Sequence, residues 1–374
     1  MSLRPIGSRT GLPAGSTPAR RTGVRLAALL TAGALALTAC GGSDDESATD
    51  GDGGAAAAGD LGDIKVQFSW IKNAEFAGEF IADSEGYYTD AGFGDVEFLS
   101  GPVAQEQVVA SGDADFGLSN AVSTAAAIVN SGFPLKIVGA TYQKNPFTIL
   151  SLADGGNITT PQDMCGKKIG VQDPNLSLFK ALLAANDIDE SCLEIVPNSF
   201  DVAPLEDGQI DGLVAYITNE SLLVKGHGFD TVDLPFADNG LPFVAETVIT
   251  TDEIIENEPE KVEAFLKAEV QGWLEACDGE EGYTKGAELA VNTYGADIDP
   301  PLELAKEVEQ ARQQCELLVN SDETAANGIF TISPEAIEAN LASLSAAGID
   351  IAAEDLFDTS FIDKVIADNP DLKG

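Results

Sequence analysis

From residue 62 onward the chain alternates short apolar runs with stretches of helical period. "IKVQFSW" (64–70) switches between apolar and polar at every position, the period-two signature of a strand. The next segment puts Phe76, Phe80 and Ile81 on one helical face and stops near Gly86. "DVEFLS" (95–100) and "ADFGLSN" (114–120) predict strands, helical "AVSTAAAIVN" follows, and "LKIVGAT" (135–141) and "FTILSL" (147–152) add two more. A second series begins near residue 158 with strand "GKKIGV" (166–171), helix "LSLFKALLAAN" (176–186) and strand "LEIVP" (193–197). Strand "QIDGLVAY" (209–216), helical "NESLLVK" and strand-like "FDTVDL" complete it, and "VAETVITT" (244–251) returns to extended structure. The last third reads as helices over 259–276, 283–294, 301–319, 334–347 and 359–367. Pro259, Pro300-Pro301 and Pro334 sit at their starts, where a missing N–H costs little.

Strand–helix alternation of this kind predicts an α/β fold with largely parallel sheets. Two series of four or five strands and a helical tail predict two lobes: 62–144 with 245–374, and 145–244. They join at two proline-bearing crossings, 142–147 and 238–246. Ligands of such folds bind at strand carboxyl ends, in the crevice between lobes.

The 374 residues suit two lobes better than one small core, and 44% apolar content is ordinary for a globular protein. Charge is not ordinary. Five arginines and no acidic residue precede Cys40, and the remainder carries 15 basic against 62 acidic groups, a net −47. A surface of that sign repels nucleic acid and anionic headgroups, so neither is an expected partner.

The arginines precede "LAALLTAGALALTAC", an apolar run short for a membrane span, so residues 1–39 read as an export signal. Arg20-Arg21 leaves both the Sec and the twin-arginine routes open. Leu37-Thr38-Ala39-Cys40 resembles a lipobox, which makes Cys40 the expected lipidation site. The glycine-, serine- and aspartate-rich stretch from there to residue 61 lacks large apolar residues and reads as a tether of roughly 25 Å. Four cysteines remain, Cys165, Cys192, Cys277 and Cys315. In an exported chain they suit two disulfides, with sequence proximity favouring Cys165–Cys192 and Cys277–Cys315 among three pairings.

Catalysis finds no support in motifs. His227, the single histidine, lies between glycines in a turn and reads as a solvated loop residue. The chain lacks GxSxG, Walker, GxGxxG and HExxH patterns, and no cofactor or metal is expected. After the signal Arg312 is the one arginine, so a strongly anionic ligand lacks its usual bidentate partner.

Polar and aromatic residues do gather at predicted strand ends. Trp70 and Asn73 follow the first strand, Ser119 and Asn120 the third, and Tyr142 and Gln143 the fourth. Tyr216, Asn219 and Glu220 follow "QIDGLVAY", and Glu246 lies just past "NGLPF". Aromatics sandwich flat rings, while Asn, Gln and Glu read ring nitrogens and amino groups. Lys72 and Glu79 read as solvated.

"FSWIKNAEFAGEFIADSEGYYTDAGF", "GDADFGLSNAVSTAAAIVNSGFPLKIVGATYQ", "GQIDGLVAYITNESLLVKGHGF" and "NGLPFVAETVITTDEIIENEPEKVEAFLKAEVQGW" cover most of 64–275. In their order the chain resembles the NMT1/THI5-like group of substrate-binding lipoproteins of bacterial ABC importers. The resemblance implies a periplasmic-binding-protein type 2 fold with a two-crossing hinge. It also implies a small-molecule ligand, membrane permease partners, a monomer, and anchoring at the extracytoplasmic face. Members of the group bind thiamine's pyrimidine precursors and riboflavin, with nitrate and alkanesulfonate binders more distant. Trp70 matches the tryptophan of the group's W-x-x-N segment, and Tyr216-Ile217-Thr218-Asn219-Glu220 resembles Y-x-x-N-x-E with Asn and Glu adjacent. "KNAEFAG" lacks the histidine that pyrimidine binders carry after the tryptophan. A fungal thiamine-pyrimidine synthase shares the fold, but its histidine and cysteine-rich motif have no counterpart here.

Overall fold

Ten strands carry the architecture of the computed structural model, which describes residues 60–373. The export signal, Cys40 and most of the tether lie outside the described residues. The strands are β1 (Gly62–Gln67), β2 (Phe93–Leu99), β3 (Phe116–Asn120), β4 (Leu135–Tyr142) and β5 (Phe147–Leu152). They continue with β6 (Lys168–Val171), β7 (Glu194–Pro197), β8 (Gly212–Tyr216), β9 (Thr231–Pro235) and β10 (Ala245–Thr251).

Two five-stranded sheets result, ordered β2-β1-β3-β10-β4 and β7-β6-β8-β5-β9. Each is mixed where the alternation predicts largely parallel pairing. β1 runs parallel to β2 and β3, and β6 parallel to β7 and β8. β10 is antiparallel to β3 and β4, and β5 to β8 and β9. The cause is connectivity, since β5 and β10 each enter a sheet directly from the other one. They arrive without the crossover helix that parallel neighbours need.

The chain passes between sheets at 143–146 and again at 236–244. Asn145 joins these crossings. Its buried side chain donates Nδ2–H to the Leu241 carbonyl (3.0 Å) and accepts from the Phe147 amide (2.9 Å).

Burial follows the apolar pattern. Phe68, Phe76, Phe80 and Ile81 are fully buried, with Phe68 and Phe76 stacked at 4.0 Å. Helix Ala77–Ser84 packs on helix Pro259–Ala276 closely enough that a Cβ on Gly78 would stand 2.2 Å from the Trp273 ring. Glu79 corrects its solvated reading. The carboxyl lies inside this helix pair near Glu269, whose Oε1 accepts from the Tyr88 hydroxyl at 2.5 Å.

Pro259 and Pro334 occupy the first turns of their helices, as expected. Pro300-Pro301 do not: that helix runs Leu304–Gln314, because Glu303 stays extended while its carbonyl takes the first helical N–H bonds. Disulfides join Cys165 to Cys192 and Cys277 to Cys315. Among the described residues no helix is long and apolar enough to cross a membrane.

Candidate functional site

The carboxyl ends of β1, β3 and β8 open on one cavity between the two sheets. The enclosed space is about 100 Å³, and the open mouth brings the empty space to about 710 Å³.

Aromatic rings form its walls. Trp70, just after β1, meets Phe200, just after β7, with ring centroids 4.5 Å apart and planes at 59°. Phe200 has a φ of 63°, a left-handed backbone that an L-residue rarely adopts. Phe147 and Tyr216 meet edge to face at 4.6 Å on the other sheet. The Trp70 Nε1–H is buried and has no protein partner.

Three carboxyls line the same space: Glu75, Glu220 and Glu246. Glu246 reaches it through a bulge. The pairing of β10 with β3 slips between Ala245 and Thr247, and Glu246 takes a φ of 43°. Such a bulge re-aims one side chain, and strain of this kind gathers at functional positions. Glu246 Oε2 accepts from the Ser69 hydroxyl at 3.0 Å, and its Oε1 lies 3.5 Å from the Tyr216 hydroxyl.

Burial pushes the Glu246 carboxyl up to about 7, against the opposing hydrogen bonds of Glu75, Ser69 and Tyr216. Glu75 is held well above the usual carboxylate range, first by burial and then by the charge of Glu246. Glu220 is raised by burial, although its Oε2 accepts from the Tyr216 amide at 2.8 Å. Tyr216 is raised by burial and then by Glu246.

No basic side chain lines the cavity among the described residues. Lys306, from helix Leu304–Gln314, reaches its edge but is committed elsewhere. Its Nζ donates to Asn219 Oδ1 (2.6 Å), Glu307 Oε1 (3.2 Å) and Gln310. Among the described residues no three His, Cys, Asp or Glu side chains converge as a metal would require.

Of the residues read from strand ends, Trp70, Ser119, Asn120, Tyr216, Asn219, Glu220 and Glu246 lie on this lining. Asn73, Tyr142 and Gln143 lie elsewhere. Asn73 is buried, and its Oδ1 caps the turn 74–76 by accepting from the Glu75 amide. Tyr142 is buried, and its hydroxyl donates to Gln314 Oε1 at 2.9 Å. Gln143 donates to the carbonyls of Ala140 and Thr331. A place at a strand end does not fix which face a side chain takes. Ser69, Glu75, Phe147, Gln172, Asn175 and Phe200 line the cavity as well, beyond the residues read from strand ends. Phe200 follows strand "LEIVP" and fits the same strand-end rule. His227 pairs with Glu206 at 2.6 Å, and Arg312 with Glu309 and Glu316.

A model of the family described as NMT1/THI5 like matches residues 73–281. The riboflavin-binding protein RibY of Chloroflexus aurantiacus is 23% identical over 219 residues, 57% of this chain and 62% of RibY. The match thus spans less than two thirds of that relative. The periplasmic nitrate-binding protein NrtA of Synechocystis PCC 6803 superposes with a TM-score of 0.64 at 12% identity, covering 85% of this chain and 92% of NrtA. The desulfurization enzyme DSZB superposes with a TM-score of 0.51 at 14% identity, covering 82% and 99%. At these identities the structural likenesses establish the fold.

Proposed function

The chain belongs to the NMT1/THI5-like family, and on that premise we propose that it is the extracytoplasmic solute-binding component of an ABC importer. It captures a small flat heterocycle, a thiamine pyrimidine precursor or a riboflavin-like ring, and delivers it to a membrane permease. The single observation that carries this reading is the cavity between the sheets, where Trp70 and Phe200 supply a stacking wall and Glu75, Glu220 and Glu246 supply hydrogen-bonding groups. Capture proceeds by closure of two lobes, 62–144 with 245–374 against 145–244, about the crossings that Asn145 joins. A lipid on Cys40 holds the receptor, a monomer, at the membrane.

An anion such as nitrate or an alkanesulfonate is the second reading, supported by the likeness to the nitrate binder. It fits the site poorly, because such a ligand would face three carboxyls with Lys306 already committed. An exported enzyme acting on a similar ring is the third, given the likeness to a desulfurization enzyme. Incubation with riboflavin or 4-amino-5-hydroxymethyl-2-methylpyrimidine, followed by chromatography, tests the reading. A receptor returns the ring unchanged in stoichiometric amount; catalytic product formation contradicts it.

A further inference from the structure

We propose that Glu75 and Glu246 hold one proton between them and use the resulting acid–carboxylate pair to read a donor beside an acceptor on the edge of a neutral ring. The inference rests on the receptor reading above and goes further by assigning the groups that select the ligand.

The geometry distinguishes the two carboxyls. Both are about 98% buried and both line the cavity. Glu246 has the donors: the Ser69 hydroxyl at 3.0 Å and the Tyr216 hydroxyl at 3.5 Å. Glu75 has only a share in the first of these, since Ser69 Oγ stands 3.5 Å from its Oε1 and gives its one hydrogen to the nearer Glu246. The Ser69 hydroxyl that both carboxyls face sets them side by side, and its hydrogen places Glu246 as the carboxylate and Glu75 as the acid. Two like charges this buried would repel strongly, and one retained proton removes that cost.

The surroundings do not neutralise the pair. Glu220 faces it from the segment after β8, and its charge raises Glu75 further. Glu79, one helical turn on, and the buried Tyr142 hydroxyl add no positive charge. Lys306 acts on Glu75 in the opposite sense, but its ammonium is held by Glu307, Asn219 and Gln310. The unpartnered Trp70 Nε1–H beside the pair is a further donor awaiting a ligand acceptor.

Binding then exchanges hydrogen bonds without net proton transfer. The Glu75 O–H turns from Glu246 to an acceptor of the ring, and Glu246 accepts the ring's N–H in its place. An amino group beside a ring nitrogen, or an imide N–H beside a carbonyl, presents that edge. A cation would instead favour the fully ionised pair, so the two ligand types give opposite pH dependence.

The test is titration of 4-amino-5-hydroxymethyl-2-methylpyrimidine and of riboflavin between pH 7.5 and 9.5, above the value of about 7 to which Glu246 is raised, with wild type and Glu75→Gln. The glutamine amide supplies a permanent donor. Wild-type Kd is expected to weaken at least fivefold over that range, and the change in Glu75→Gln to stay under about twofold. Each ring titrates identically with both proteins, so the difference between them reports on the pair. A wild-type Kd that is flat or tightens with pH, or a variant with the full wild-type dependence, overturns the proposal. Failure of both rings to bind counts against the receptor reading instead. The proton is then decided on the free protein: the infrared difference spectrum of wild type minus Glu75→Gln at pH 7 should show a protonated-carboxyl band, and its absence overturns the proposal.

Discussion

The indole of Trp70 and the phenyl ring of Phe200 meet at 4.5 Å across the cavity, one from the loop after β1 and the other from the loop after β7. Each belongs to a different sheet, so this contact bridges the two halves of the site. A flat ligand that stacks on either ring gains buried apolar area and loses it when the ring is removed. Trp70→Ala is expected to weaken ligand binding more than tenfold with little change in melting temperature. Titration monitored by calorimetry checks this, and unchanged affinity would place Trp70 outside the site.

Asn145 gives a stability prediction at the crossings. Asn145→Ala leaves the Leu241 carbonyl and the Phe147 amide without their partner. Each buried group left unsatisfied costs about 1–3 kcal/mol. Urea unfolding should therefore show a loss of at least about 1 kcal/mol.

The pair Glu79 and Glu269 predicts a pH dependence of stability. Burial raises both, Glu269 up to about 8 from an ordinary value near 4.5. The folded chain thus binds protons that the unfolded chain releases above about 4.5. The associated stabilisation is fully present below that pH and is lost as pH rises through about 8. The melting temperature should be higher at pH 5.5 than at pH 8.5, and Glu269→Gln should narrow the gap. An equal gap in wild type and variant would remove this pair as the cause.

The Cys277–Cys315 bridge closes a loop with a sequence separation of 38 and ties the end of helix Pro259–Ala276 to that of helix Leu304–Gln314. Loop-closure entropy puts its contribution at about 4 kcal/mol. Replacing both cysteines by alanine should lower stability by about that amount in denaturant unfolding, with wild type as the reference.

The strand pattern makes most of the sheets legible, because the period-two run 64–70 and the continuous apolar run 213–216 carry their own signal. Antiparallel entry of β5 and β10 was not legible, since it depends on which sheet the chain is leaving. Strand ends point to Trp70, Tyr216 and Glu246, which line the cavity, but do not reveal the bulge that turns Glu246 inward. The same rule points to Asn73, which caps its own turn at the Glu75 amide, and to Tyr142 and Gln143, whose partners Gln314 and Thr331 lie far along the chain. Glu75 has no sequence signal for a compositional reason: among 62 acidic residues, one more carboxylate beside apolar neighbours does not stand out.

The central claim, that this cavity takes a flat heterocycle and not an anion, is tested most directly by thermal shift. The panel is 4-amino-5-hydroxymethyl-2-methylpyrimidine, thiamine, riboflavin, taurine and nitrate. Stabilisation grows with ligand concentration over Kd, so a bound ring should raise the melting temperature by several degrees in a concentration-dependent way. Taurine and nitrate should leave it unchanged. Stabilisation by taurine or nitrate, with none from any ring, would contradict the account.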